Sequence, residues 1–165
     1  MRYQAFLNEE NNNGIVIKKP LECTEDELDI FYDMVIDADQ AYPSEGDLKG
    51  KGVYLGFYYK DDEVIAISAI KKPYRSKTVF EMAPEEAKNY KYEMGWSYTL
   101  PEHQSKGIMH QLNTALLNKV KGSGVFSTVR IDNKFSIKGL EKLGFTMLGP
   151  KIDGMVTNLY LMVKN

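Results

Sequence analysis

The apolar positions of the chain fall into two periods. In "TEDELDIFYDMVIDADQAY", Leu28, Phe31, Val35 and Ala38 recur at the spacing of one helical face. Thr24 stands three residues before Glu27, the arrangement in which side chain and backbone cap each other, so a helix is expected to start there. Ile108, Leu112, Ala115, Leu116 and Val120 form a second helical stripe. "GKGVYLGFYYK" and "EVIAISAIKK" read as two strands of a hairpin turning at Asp61 and Asp62. "KYEMGWSYTL" reads as an aromatic strand and "GVFSTVRI" as a buried one. "DNKFSIKGLEKLGF" predicts a short helix with a left-handed cap at Gly144. "TMLGPKI" and "VTNLYLMVK" predict two last strands, and "NNNG" at Asn11–Gly14 a tight turn. "AYPSEGDLKGKG" and "PYRSKTVFEMAPEEAKNY" read as long connections of the kind that border functional sites, the second with a helix expected from Pro84.

Hairpins make antiparallel pairs, whereas the strand–helix–strand unit over 91–130 requires a parallel pair. The expected fold is therefore α/β (α+β), a mixed sheet with helices on both faces. At 165 residues the chain reads as one domain, 1–165, able to bury a real core. The apolar and charged fractions, 43% and 27%, are those of an ordinary globular protein. No apolar run approaches the roughly 20 residues of a membrane span. A net charge of −2 gives no global attraction to nucleic acid or anionic membrane. Cys23 is the one cysteine and cannot form an internal disulfide. With no signal-like leader, this predicts a reducing cytoplasm. Cys23 itself reads as a small structural residue.

One junction invites chemistry. In "PEHQSKGIMHQL" a polar turn with Gly107 runs from a strand into a helix. The first turn of a helix has unpaired N–H donors and the positive end of the dipole, which favour an anion. Ser105 and Lys106 add a hydroxyl and a charge. The plain alternative is a loop glycine with Ser105 as an N-cap. The turn has neither the pattern of a Walker loop nor the second glycine of a dinucleotide fingerprint.

"TLPEHQSKGIMHQLNTALL" resembles the signature segment of the GCN5-related N-acetyltransferases (GNAT). Their acyl-CoA loop follows Q/R-x-x-G-x-G/A. Gln104, Ser105, Lys106, Gly107 and Ile108 fit its first five positions, and Met109 departs from the sixth. "NKFSIKGLEKLGF" resembles the second motif, opened by Asn133 and closed by Gly144 and Phe145. The resemblance spans about residues 91–149 and implies acetyl-CoA as co-substrate, with no metal. It implies a mostly antiparallel sheet of about six to seven strands, with a splay between strands four and five. The pyrophosphate would lie on residues 104–109. The pantetheine arm would follow the backbone of Tyr98, Thr99 and Leu100, with Asn133 and Ser136 along the cofactor path.

Acyl transfer to an amine requires a neutral nucleophile, hence a base acting directly or through water. Glu93 stands eleven positions before Gln104, the spacing of the base glutamate in the histone-type branch of the family. The alternative is a carboxylate in an ordinary ion pair. Strict strand alternation puts Glu93, Gly95 and Ser97 on one face, and Tyr92, Met94, Trp96 and Tyr98 on the other. The family's tyrosine acid, four residues before the last motif glycine, is Leu140 here. Tyr98, Ser136 or water is left as proton donor. His103 and His110 have no ligand partners at metal spacing. "KKPYRSK" at Lys71–Lys77 reads as a solvated basic loop. The implied function is an acetyl-CoA-dependent N-acetyltransferase with a small-molecule or peptide amine as acceptor. A non-catalytic acyl-CoA-binding domain, or a nucleobase or nucleic-acid modifier on the same fold, are the alternatives. A homodimer is left open.

Overall fold

A computed structural model describes residues 13–39, 43–73, 88–148, 152–153 and 158–165. In chain order these form β1 (Gly14–Lys18), α1 (Glu25–Asp37), α2 (Glu45–Lys51), β2 (Gly52–Lys60), β3 (Glu63–Lys71), β4 (Tyr90–Thr99), α3 (Ile108–Lys119), β5 (Gly124–Arg130), α4 (Lys134–Lys142), β6 (Thr146–Met147), β7 (Ile152–Asp153) and β8 (Asn158–Lys164). One sheet runs β1-β2-β3-β4-β5-β8-β6, with β7 also on β8. Every pairing is antiparallel except β4 with β5. The mixed, mostly antiparallel sheet expected from the sequence is thus present. The path across the sheet has the seven strands expected, and among the described residues the short β7 pairs with β8 beside it.

The capping box forms as predicted: Glu27 N–H donates to Thr24 Oγ1 at 3.2 Å, and Thr24 N–H to Glu27 Oε2 at 2.9 Å. The carboxylate does more than cap. It is 1% exposed, accepts from Lys18 Nζ at 2.6 Å and receives the Tyr59 hydroxyl at 3.5 Å, so it ties α1 to both β1 and β2. Asp61 and Asp62 turn the β2–β3 hairpin with φ of 50° and 63°. Such paired left-handed residues match the twist of the strands. Gly144 closes α4 with φ 89°, as its sequence position predicts.

"AYPSEGDLKGKG" is not only a connection, because residues 45–51 form α2. Gly46 and Gly50 hide it from the sequence, each disfavouring helix by about 1 kcal/mol relative to alanine. Tertiary contact reverses that preference: Leu48 is 2% exposed in the main core, and Ser44 N–H donates to Asp47 Oδ2 at 2.7 Å. The helix expected from Pro84, and the first residues of the "NNNG" turn, lie outside the described residues.

Two helices clamp the first half of the sheet. Phe31 of α1 meets Phe57 edge-on at 5.5 Å and Trp96 at 6.3 Å. On the opposite face Leu112 and Leu116 of α3 lie over Gly56, where a Cβ would approach them to 3.0 and 3.1 Å. Leu140 and Phe145 carry the end of α4 into the same core. A smaller core of Tyr90, Phe126, Leu161 and Val163 joins β4, β5 and β8.

Candidate active site

The β4–β5 ladder runs Tyr90↔Gly124, Tyr92↔Val125, Glu93↔Phe126 and then ends. From Met94 onward β4 keeps only β3, while β5 continues on β8 to Arg130. This is the splay the sequence resemblance implies. Ser127 Oγ donates to the Met94 carbonyl at 3.0 Å, just past the last paired residue. A buried hydroxyl thus satisfies the first carbonyl that the departing strand leaves bare. Further along, Leu100 N–H donates to Ile65 O at 2.9 Å, on the β3 side. Backbone groups alternate sides along a strand, so Ser97 and Thr99 turn theirs toward the gap. The Thr99 carbonyl there accepts Gln104 Nε2 at 3.1 Å.

A bulge interrupts β4 within this gap. Ala69 pairs with Gly95 and Ile67 with Tyr98, so three residues of β4 span two of β3. Trp96 absorbs the excess with φ 54°. Strict alternation fails here, and the face assignment from sequence is corrected. Tyr98 pairs with Ile67 and Glu93 with Lys71, two β3 residues of the same parity. Tyr98 and Glu93 therefore share the α1 face. Trp96, swung round by the bulge, packs there on Phe31. Ser97 joins the α3 face, where its Oγ lies 2.7 Å from Ser68 Oγ.

Glu93 is 8% exposed and its Oε1 lies 3.2 Å from Lys71 Nζ. Lys71 is no solvated loop cation. It is 6% exposed, and its ammonium sits 4.8 Å from the Trp96 ring centroid. The stem of Lys71 crosses Gly95, where a Cβ would meet Cε at 2.8 Å. Gly95 is thus the residue that lets the lysine lie flat against the strand. The sequence hides Lys71 because it stands in a run of basic residues, Lys72, Arg75 and Lys77 following it. Only the register with β4 brings it to Glu93.

After β4 the chain makes a short 3-10 turn at Pro101–His103 and then an exposed loop. Ser105 has φ 61° and Gly107 φ 76°, and Gly107 is the N-cap of α3. Left-handed residues alternating in a tight loop make successive N–H groups converge on one point, an anion-binding arrangement. Ser105 is not the N-cap, in contrast to the plain sequence alternative. Lys106 Nζ is tied to the Glu102 carbonyl at 2.9 Å. No acidic side chain occupies the first turn of α3. Ile108 is buried and Met109 packs on the core, which anchors the helix beneath the exposed loop. Across the gap, Asn133 caps α4 by accepting Ser136 N–H at 3.0 Å. Leu140 is 8% exposed in the main core, so the tyrosine position is filled by packing. A Cβ on Gly139 would meet no other described atom within 4 Å. No described group of histidine, cysteine, aspartate or glutamate clusters to hold a metal. No described helix is long and apolar enough to cross a membrane.

The acetyltransferase (GNAT) family matches residues 21–145. The chain belongs to this family and is an acetyl-CoA-dependent N-acetyltransferase. No curated protein matches the sequence. Among solved structures it is similar to an acyl-CoA N-acyltransferase from Pseudomonas aeruginosa, with TM-score 0.69 and 13% identity, covering 93% of this chain and 100% of that one. It is also similar to NAA60 from Arabidopsis thaliana in complex with acetyl-CoA, with TM-score 0.69 and 12% identity over 91% and 98% of the two chains. A third is yncA, a putative acetyltransferase from Salmonella typhimurium with its cofactor acetyl-CoA, with TM-score 0.61 and 18% identity over 92% and 94%. At these identities the likeness is one of fold.

Proposed function

We propose that acetyl-CoA lies along the splay and that the acceptor is a primary amine of a small molecule or peptide, approached from the α1 face. The single observation that carries this is the end of β4–β5 pairing at Glu93, with the left-handed Ser105–Gly107 loop at the far end of the same gap. The loop N–H groups and the α3 terminus, with Gln104, Lys106, Ile108 and Met109 around them, receive the pyrophosphate. The backbone that Ser97 and Thr99 turn to the gap supports the pantetheine arm, Tyr98 and Leu100 wall it, and Asn133 and Ser136 border it from α4. Acetyl-CoA, when bound, supplies the activated acyl group. Glu93 accepts the proton of the acceptor amine, directly or through a water, as the nitrogen attacks the thioester carbon. Tyr98, which shares the face of Glu93, donates a proton to the leaving sulfur. The lone Cys23 is half-buried, and burial pushes its thiol up to about 11. It stays protonated at neutral pH, which suits a structural residue in a reducing cytoplasm.

The test is calorimetric titration with CoA, followed by thiol release from acetyl-CoA across a panel of primary amines. Tight CoA binding without thiol release from any of these amines would place the acceptor outside the primary amines. Absence of CoA binding would remove the assignment of the site.

A further inference from the structure

Asn113 lies in the second turn of α3, is 5% exposed, and its Oδ1 has no hydrogen-bond partner. Its place on the helix tells what it faces. Gln111 and Asn113 stand about 100° to either side of Leu112. Gln111 Oε1 accepts the Tyr58 hydroxyl at 3.4 Å, so that flank of α3 looks toward β2 and β1. The flank of Met109 and Asn113 therefore looks the other way, toward β3 and β4. Along the axis, Asn113 is about 8 Å from the first residue of the helix, hence well inside from the loop at its end.

A buried carbonyl without a donor is costly, since it loses water and gains nothing in return. Few such groups persist in folded proteins, and each calls for a cause. A leucine of similar branched shape would leave no polar atom unpaired there. A buried acceptor oxygen on the flank that faces β4 calls for an incoming N–H. Phosphates cannot supply it, because they only accept. The pantetheine arm carries amide N–H groups, and it is the part of CoA that enters the buried gap.

We propose that Asn113 is a positioning residue whose Oδ1 accepts an amide N–H of the pantetheine arm, fixing how far the arm slides along β4. The inference rests on the reading that CoA lies along the splay. Asn113→Leu removes the acceptor and keeps the branched shape. Calorimetry would use two ligands, CoA and adenosine 3′-phosphate 5′-diphosphate, which is CoA without the arm. The expected result is CoA affinity weakened about tenfold with affinity for the truncated nucleotide kept. The free variant should also melt about 2–4 °C higher, because an orphaned polar group has left the core. Unchanged CoA affinity would overturn the inference, a buried water then being the partner of Oδ1. Equal loss for both ligands would overturn it too, since the arm would not be what is read. If leucine overpacks and the variant fails to fold, Asn113→Val offers the same two titrations with a smaller side chain. Wild-type protein that binds neither ligand would instead defeat the reading of the splay itself.

Discussion

Lys71 and Glu93 stand opposite each other on β3 and β4, and their charged groups lie 3.2 Å apart with both side chains nearly excluded from water. A buried pair is held by mutual attraction against a large desolvation cost, so losing one partner takes away the other's nearest counter-charge. Lys71→Met is expected to lower stability by about 3–5 kcal/mol, measured by urea denaturation. The double variant Lys71→Met with Glu93→Gln should recover part of that loss. A double variant as unstable as the sum of its single changes would mean that the two groups are not coupled.

Glu93→Gln keeps the shape of the proposed base and removes its basicity. Turnover of acetyl-CoA with an accepted amine should drop on the order of 10²-fold or more, while CoA affinity stays near wild type. Equal rates for variant and wild type between pH 6 and 9 would rule out proton transfer through this carboxylate.

Gly107 holds φ 76° where a Cβ would meet no other described atom within 4 Å. Space is therefore not the constraint, and backbone conformation is. Gly107→Ala should cost about 1–2 kcal/mol if the loop keeps its shape, and otherwise rearrange it. Either way CoA affinity should fall, read by calorimetry. Gly107→Glu should fall further, because it adds a negative charge where the pyrophosphate is proposed to sit. Full affinity in a folded Gly107→Glu variant would place the anion elsewhere.

Alkaline pH should weaken the fold through Cys23 and Tyr59. Burial first, then Glu27, raises the Cys23 thiol from 9.0 to about 11, and the same causes raise the Tyr59 hydroxyl above its ordinary value. In the unfolded chain both ionise at ordinary values, so above pH 9 the folded state binds more protons than the unfolded one. Stability is then complete below pH 9 and falls as pH rises through about 11. The urea midpoint should follow that course. Cys23→Ala and Tyr59→Phe should each flatten it, and an unchanged slope in both would assign the alkaline loss to other groups.

Local chemistry made much of this protein legible in its sequence. The capping box at Thr24 and Glu27, the hairpin at Asp61 and Asp62, and the cap at Gly144 depend on neighbours three or fewer residues away. The Gln104–Gly107 loop is readable for the same reason, since its conformation belongs to one short segment between a strand and a helix. What the sequence could not supply depends on pairing between distant segments. The bulge at Trp96 adds one residue to β4 relative to β3, and one residue is enough to exchange faces for everything beyond it. Tyr98 therefore joins Glu93, and Ser97 leaves it. Lys71 looks solvated in its own segment and becomes the partner of Glu93 only through register. The two glycines of α2 argue against a helix, and burial of Leu48 overrides them. Asn113 reads as one polar residue on an apolar stripe, and only the helix rotation fixed by Gln111 and Tyr58 sets its flank toward β3 and β4. Sequence by itself determined most of the elements, their caps and the Gln104–Gly107 loop, because those are set by short-range backbone sterics and hydrogen bonding. Tertiary structure alone decided which side chains meet in the gap, because strand register and helix rotation are settled by packing across the whole sheet.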